Sequence, residues 1–274
     1  MPGRRDILER IAAALDRLAP PNSSPCDWLS APAYIWEGEN ARPIEALDAL
    51  PLSRMRGIDR QKEALRSNLV RLAAGAASHD ALLWGARGMG KSALIRSVVA
   101  DIRGEGGSNL ALVQIAPGAL GTVPSLLVEL GQQARSFLLF IDDLGFGANH
   151  QAETLALRSL LDGGAQPRPA RIRVAVTSNR RAIVARDASE ADAIHERDAR
   201  DDALALADRF GLTLAFHPCD RETYLEILRA YTDPLGLTVD EEEAMAWAIA
   251  RGNRSGRTAL QFATELAGRA GLSL

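Results

Sequence analysis

Gly85-Ala86-Arg87-Gly88-Met89-Gly90-Lys91-Ser92 is the stretch from which the rest of this chain can be read. It fits G-x-x-x-x-G-K-[ST], the phosphate-binding P-loop. Glycines at these positions let successive backbone N–H groups turn inward around phosphate oxygens. Lys91 brings a compact positive charge to the β and γ phosphates. The Ser92 hydroxyl reaches Mg2+, and the helix that follows points the positive end of its dipole at the anion. Composition sharpens the signal, because only two of the 32 basic residues are lysines, Lys62 and Lys91. A chain that writes nearly every other positive charge as arginine keeps lysine here, as expected where a planar guanidinium does not substitute.

The flanks suit the motif. Asp80-Ala81-Leu82-Leu83-Trp84 reads as a short buried strand entering the loop. From Ser92 to Ile102, apolar Leu94, Ile95, Val98 and Val99 form a helical stripe. Strand, glycine-rich loop, helix is the context a P-loop requires. Further out, strands are expected near Leu110–Ile115, over Phe137–Ile141, over Val174–Thr177 and over Leu212–Phe216. Helices are expected over 59–74, 123–132 and 152–161. Buried strands alternating with helices predict an α/β fold with a parallel sheet covered on both faces. After Pro218 no strand pattern remains. Three helices are expected there, over 220–231, 239–251 and 257–270, as a small all-helical C-terminal lid. Residues 5–18 read as an amphipathic helix and 19–54 as an irregular proline-rich arm pinned to a surface by Trp28, Tyr34 and Trp36. The charged stretch 179–203 reads as an exposed loop. The division expected is 1–54 for the helix and arm, 55–217 for the nucleotide-binding domain and 218–274 for the lid.

Four further features bear on chemistry. Asp142 ends the apolar run Phe137-Leu138-Leu139-Phe140-Ile141, which suits a carboxylate beside Mg2+; Asp143 would then orient or deprotonate an attacking water. Two solvated acids at a turn would look the same, and only the P-loop upstream favours the functional reading. Asn179, at the tip of the next strand, is placed to bond the γ-phosphate or the water, although a turn-forming Asn is common. Arg209, in Asp208-Arg209-Phe210-Gly211, is either a surface ion-pair residue or an arginine finger supplied to a neighbouring subunit. Arg257 follows Gly256 at a helix start, where a cation opposes the helix dipole and a bound phosphate would relieve it.

Bulk properties set limits. With 274 residues, 47% hydrophobic and 24% charged, the chain can bury one good-sized core and a smaller domain. A net charge of −3 gives no overall basic field for nucleic acid, leaving only a local patch. Cys26 and Cys219 make neither a disulfide framework nor a zinc spacing, and His217 beside Cys219 is too few ligands for a metal site. No apolar run is long enough to span a bilayer. Arg4 and Arg5 lead into Asp6, Glu9 and Arg10 rather than the apolar core of a signal peptide, so a cytoplasmic location is expected.

Taken together and in this order, the features resemble the AAA+ ATPases over roughly residues 55–270. The resemblance implies that Gly85, Ala86, Arg87, Gly88, Met89, Gly90, Lys91 and Ser92 form Walker A, with Asp142 and Asp143 in Walker B. It further makes Asn179 sensor 1, Arg209 the box VII finger and Arg257 sensor 2. Gly57 and Ile58, followed by Asp59, resemble the segment whose backbone lies by the adenine. Leu83 to Gly88, Asp142-Asp143-Leu144, Thr177 to Arg181 and Asp208 to Gly211 are similar to a compact bacterial AAA+ family known only as a domain of unknown function.

The implied cofactors are ATP and Mg2+, with Ser92 and Asp142 holding the ion. The implied assembly is a homo-oligomer acting on a protein or DNA client, with no membrane. One departure is Asp143, where most of the superfamily has Glu. The shorter side chain holds water less well, and Asp-Asp also occurs in helicase loaders and transposition helpers with slow, switch-like turnover. Arg180 and Arg181 rival Arg209 for the finger role. Two readings therefore stand side by side: an oligomeric ATPase that remodels a partner, and a slow ATP-gated adaptor that docks through its N-terminal helix and aromatic arm. A small-molecule kinase fits poorly, since no acceptor-binding constellation is visible.

Overall fold

Gly85 and Phe216 sit side by side in one sheet, and around them the computed structural model places seven strands. The structure describes residues 26–105, 109–144, 151–163, 167–179 and 205–274. The expected helix at 5–18, Arg180, Arg181 and nearly all of the 179–203 loop lie outside these residues.

In chain order the strands are β1 (Ala33–Trp36), β2 (Ala41–Ile44), β3 (Ala81–Gly85), β4 (Leu110–Ile115), β5 (Ser136–Ile141), β6 (Ile172–Ser178) and β7 (Leu212–Phe216). They lie in the order β2-β1-β4-β5-β6-β3-β7. All pairs are parallel except β1 with β2. The helices are α1 (Asp59–Ala73), α2 (Lys91–Gly104), α3 (Val123–Gly131), α4 (Gln151–Asp162), α5 (Arg221–Thr232), α6 (Glu241–Ala250) and α7 (Gly256–Arg269).

Strand alternation divides the core in two. On one face Leu110, Leu112, Leu138 and Phe140 pack with Leu65 and Leu69 of α1 and Leu94 and Val98 of α2. Tyr224, Leu228, Phe262 and Ala263 of the C-terminal helices belong to this same cluster, so the helical tail shares a core with the sheet. On the other face Ala111, Val113, Phe137 and Leu139 pack with Leu126 and Leu130 of α3 and Leu157 of α4. The strands are thus apolar on both sides, as a covered parallel sheet demands. The C-terminal helices begin at acceptor side chains: Asp220 takes the Thr223 N–H at 2.8 Å and Asp240 the Glu242 N–H at 2.8 Å.

The irregular arm is corrected. Residues 33–36 and 41–44 are strands, and β1 pairs in parallel with β4. Trp28, Tyr34 and Trp36 are buried core residues and are not available for docking a partner. Two causes hide these strands from a sequence reading. Each is four residues long, too short for a period to declare itself, and Pro43 reads as a breaker. Pro43 is tolerated because β2 is the edge strand. The Arg135 guanidinium fastens the segment, donating to the carbonyls of Trp28 (2.6 Å) and Ala31 (2.9 Å). The Tyr34 hydroxyl adds a bond to the Asp27 carbonyl at 2.8 Å, and Trp36 Nε1 donates to Thr122 Oγ1 at 2.8 Å.

Candidate nucleotide-binding site

The loop leaves β3 at Gly85, whose φ of +126° and close neighbours admit no side chain: a Cβ there would lie 2.1 Å from the Phe216 carbonyl oxygen. The Ala86 N–H donates to that same oxygen at 2.8 Å, which fixes where the loop starts. Gly88 and Gly90 take φ of +76° and +87° and turn the chain into α2. Gly90 caps α2 without a side-chain acceptor, so the N–H groups of the first turn remain for a ligand.

Lys91 is buried inside this turn. Its Nζ donates to the carbonyls of Gly85 (3.0 Å) and Ala86 (2.8 Å) and to Asn179 Oδ1 (2.8 Å). Burial pushes its pKa down to about 8; the Asp143 and Asp142 carboxylates oppose the shift, and Arg257 and Arg87 add to it.

The acids stand at the end of β5. Asp142 Oδ1 accepts from Ser92 Oγ and from Thr177 Oγ1, each at 2.6 Å. Thr177 Oγ1 also accepts the Asp143 N–H at 2.8 Å. Asn179 Nδ2 donates to Asp143 Oδ1. Asp143 is the one non-glycine residue at positive φ (53°) among the described residues. Backbone held there costs energy and collects at functional sites. Thr177 was not among the expected site residues. Its role follows from register: Ile141 pairs with Val176, which sets Thr177 beside Asp142.

The third wall is helical. Ser255 caps α7 by accepting the Thr258 N–H at 3.2 Å. The Arg257 N–H donates to the Gly88 carbonyl at 3.1 Å, so the start of α7 is bonded to the P-loop itself. A Cβ on Gly88 would lie 2.8 Å from Ser255 Oγ, which is why that loop position has no side chain.

Together these walls enclose a cleft of about 380 Å³. Leu50, Met55, Ile58, Ile227, Tyr231 and Leu260 give it apolar lining. Lys91, Ser92, Asp142, Asp143, Asn179 and Arg257 give it polar lining, together with Gly88, Met89 and Gly90 of the loop. Of the remaining expected residues, Gly85 and Ala86 hold Lys91 from behind, Ile58 is part of the apolar lining, and Arg87 is exposed on the outside of the loop. Gly57 is pressed against α5, where a Cβ would lie 2.2 Å from Thr223 Cγ2. Arg54, Arg56 and Arg96 also line the cleft and were not expected; an Arg-Met-Arg run just before Gly57 was the available signal.

Arg209 is not brought to the cleft. It precedes the amino end of β7, where its Nε donates to Asp162 Oδ1 at 2.6 Å and its Nη1 to the Ala205 carbonyl. The P-loop leaves β3 beside the carboxyl end of β7, four residues further along, roughly 13 Å at strand spacing.

The donor set suits a nucleoside triphosphate with Mg2+. Ser92 Oγ and Asp142 Oδ1 are hard oxygen ligands within 2.6 Å of each other. Among the described residues no group of three or more His, Cys, Asp or Glu could hold a metal alone. Two protein ligands leave most positions to phosphate and water, as Mg2+ prefers. No helix among the described residues is long and apolar enough to cross a membrane.

Comparison with known proteins agrees with this geometry. The family described as "Protein of unknown function (DUF815)" matches residues 29–270. No curated protein matches the chain. Among solved structures, the Aeropyrum pernix Orc1 protein in complex with DNA superposes with a TM-score of 0.57 at 17% identity, covering 83% of this chain and 63% of that one. The Thermotoga maritima RuvB Holliday junction branch migration motor superposes with a TM-score of 0.50 at 17% identity, covering 82% of this chain and 68% of that one. At such identities the likeness is one of fold, and that fold is the AAA+ fold.

Proposed function

Because the chain belongs to the DUF815 family and has the AAA+ fold, we propose that it binds ATP with Mg2+ in this cleft and hydrolyses it to ADP and phosphate, working on a macromolecular partner. In this reading residues 55–217 are the nucleotide-binding domain and 218–274 the lid. One observation carries it: Lys91, Asn179, Asp143, Thr177, Asp142 and Ser92 form a single hydrogen-bonded chain across the mouth of a P-loop.

The roles follow from the contacts. Backbone N–H groups from Gly88 to Ser92 hold the β and γ phosphates, and Lys91 exchanges its two carbonyl partners for phosphate oxygens. Ser92 and Asp142 hold Mg2+, which neutralises charge on those oxygens. Thr177 fixes the Asp142 carboxylate. Asp143 accepts the proton of the water attacking the γ-phosphorus, and Asn179 aims it. Arg257, at the start of α7, contacts the phosphates from the lid and reports them to the helices. The base lies toward Met55, Ile58, Ile227 and Tyr231.

Arg209 cannot serve its own cleft, which supports a finger reaching a second copy in a homo-oligomer. The test is steady-state ATPase rate against protein concentration for wild type and Arg209→Ala. Specific activity that rises with concentration, and falls at least about a hundredfold in the variant, is expected. Activity independent of both would favour the second reading, a slow switch on a protein or DNA client. The observation behind that reading is Asp143 itself, short and tied to Asn179.

A further inference from the structure

Lys62 is the second of the chain's two lysines, and no role in the cleft follows from its sequence context. It lies in the first turn of α1, with its side chain largely buried at 18% exposure. Three oxygens surround its ammonium. The Met55 carbonyl lies at 2.8 Å, the Leu52 carbonyl at 3.5 Å and Asp59 Oδ1 at 2.5 Å. Such an arrangement suits a single nitrogen with three donors better than a planar guanidinium.

The carbonyls belong to a loop that lines the cleft with apolar and basic side chains. Leu52–Arg54 is one turn of 3-10 helix, and Arg54, Met55, Arg56 and Ile58 line the cavity. Two other contacts hold the same loop. The Met55 methyl packs over the P-loop, 3.3 Å from where a Gly90 Cβ would lie. Gly57 is wedged against Thr223 of α5 at φ +73°. Lys62 therefore ties this loop back onto the first turn of α1.

We propose that Lys62 is a positioning residue for the base-binding end of the cleft. It touches no nucleotide; it holds the Met55 carbonyl so that Met55 and Ile58 keep the wall against which a base packs. No hydrogen bond or ion pair joins the Lys62 ammonium to the phosphate end, built on Lys91, Ser92 and the ends of β5 and β6. Losing the ammonium thus weakens recognition of the base and spares recognition of the phosphates. The inference rests on the nucleotide reading above.

The experiment is calorimetric titration of the full chain with Mg-ATP and, separately, with Mg-tripolyphosphate, which has the phosphates and no base. Lys62→Gln is expected to weaken ATP about tenfold and to leave tripolyphosphate within about twofold. A second variant, Gly57→Ala, disturbs the same loop from its other end and is expected to give the same selective loss. Unchanged ATP affinity in the folded variants, or an equal loss for both ligands, overturns the proposal. A wild-type chain that binds neither ligand overturns the nucleotide reading itself. Retained tripolyphosphate binding in a variant also shows that its P-loop is folded.

Discussion

At the amino ends of the strands, polar side chains clamp neighbouring segments; at the carboxyl ends, polar side chains line a cavity. Asp80, just before β3, takes the Val174 N–H at 2.8 Å and the Arg168 guanidinium. Ser136, opening β5, donates to the Leu72 carbonyl at 2.8 Å, and Arg135 fastens the N-terminal segment. At the opposite ends, the guanidinium groups of Arg54, Arg56 and Arg257 line the cleft and make no hydrogen bond or ion pair with another described residue. Lys91 is buried with two carboxylates nearby but bonded to neither. In an open parallel sheet the crevice outside the carboxyl ends is where ligands bind. Similar polar side chains thus act as clamps at one end of these strands and as a ligand cradle at the other.

The comparison breaks most visibly at Lys91. Lys91→Ala removes a donor aimed at transferring phosphate, and kcat/KM for ATP should fall by about three orders of magnitude. A variant that keeps wild-type turnover would show that the carboxyl-end network is a clamp like the others. Asp143→Asn should be next. It keeps the shape and removes the proton acceptor, so turnover should drop by roughly a hundredfold while Kd for ATP stays within a few fold. Single-turnover kinetics alongside equilibrium binding separates the two.

Arg135→Met asks the converse question at the amino end. It leaves the Trp28 and Ala31 carbonyls without their donor, and a loss of about 3 kcal/mol is expected, or a Tm lower by roughly 6–12 °C. ATP affinity should not move. If affinity falls with stability, the two ends are coupled through β1 and β4 and do not act separately.

Much of the carboxyl end is legible in the sequence because its signals are local. A glycine-rich octapeptide and an apolar run ending in two acids are each a few residues long, and the physics that places them acts within those residues. Thr177 is less legible, since its partner Asp142 comes to it only through the pairing of β5 with β6. Lys62 is not legible at all: two of its three partners are backbone carbonyls, which every residue has. The edge strands β1 and β2 fail for a different reason. Four-residue strands around a Gly38–Asn40 turn, with a proline in one of them, carry too little pattern to outweigh the breakers. Buried clamps such as Arg135 look like surface arginines until the fold supplies their acceptors.

The smallest effect separates the two ends by proton rather than by mutation. Burial holds the Lys91 pKa down at about 8, against an ordinary value of 10.5. Between those values the unfolded chain binds more protons than the folded one, so stability of the nucleotide-free protein should rise with pH through that window. Phosphate placed against Lys91 favours the ammonium. Binding should therefore take up a proton above pH 8, and ATP affinity should fall about tenfold from pH 7 to pH 9. Calorimetry in buffers of different ionisation enthalpy reads the proton directly, and denaturant melts across the same range read the stability. Lys91→Met should flatten both slopes, whereas Arg135→Met should alter neither, because an arginine stays charged throughout. The two trends run in opposite directions only if the titrating group is buried in the nucleotide-free fold and held protonated by the ligand. Stability and affinity falling together would put the proton on some other group and remove Lys91 from the phosphate end.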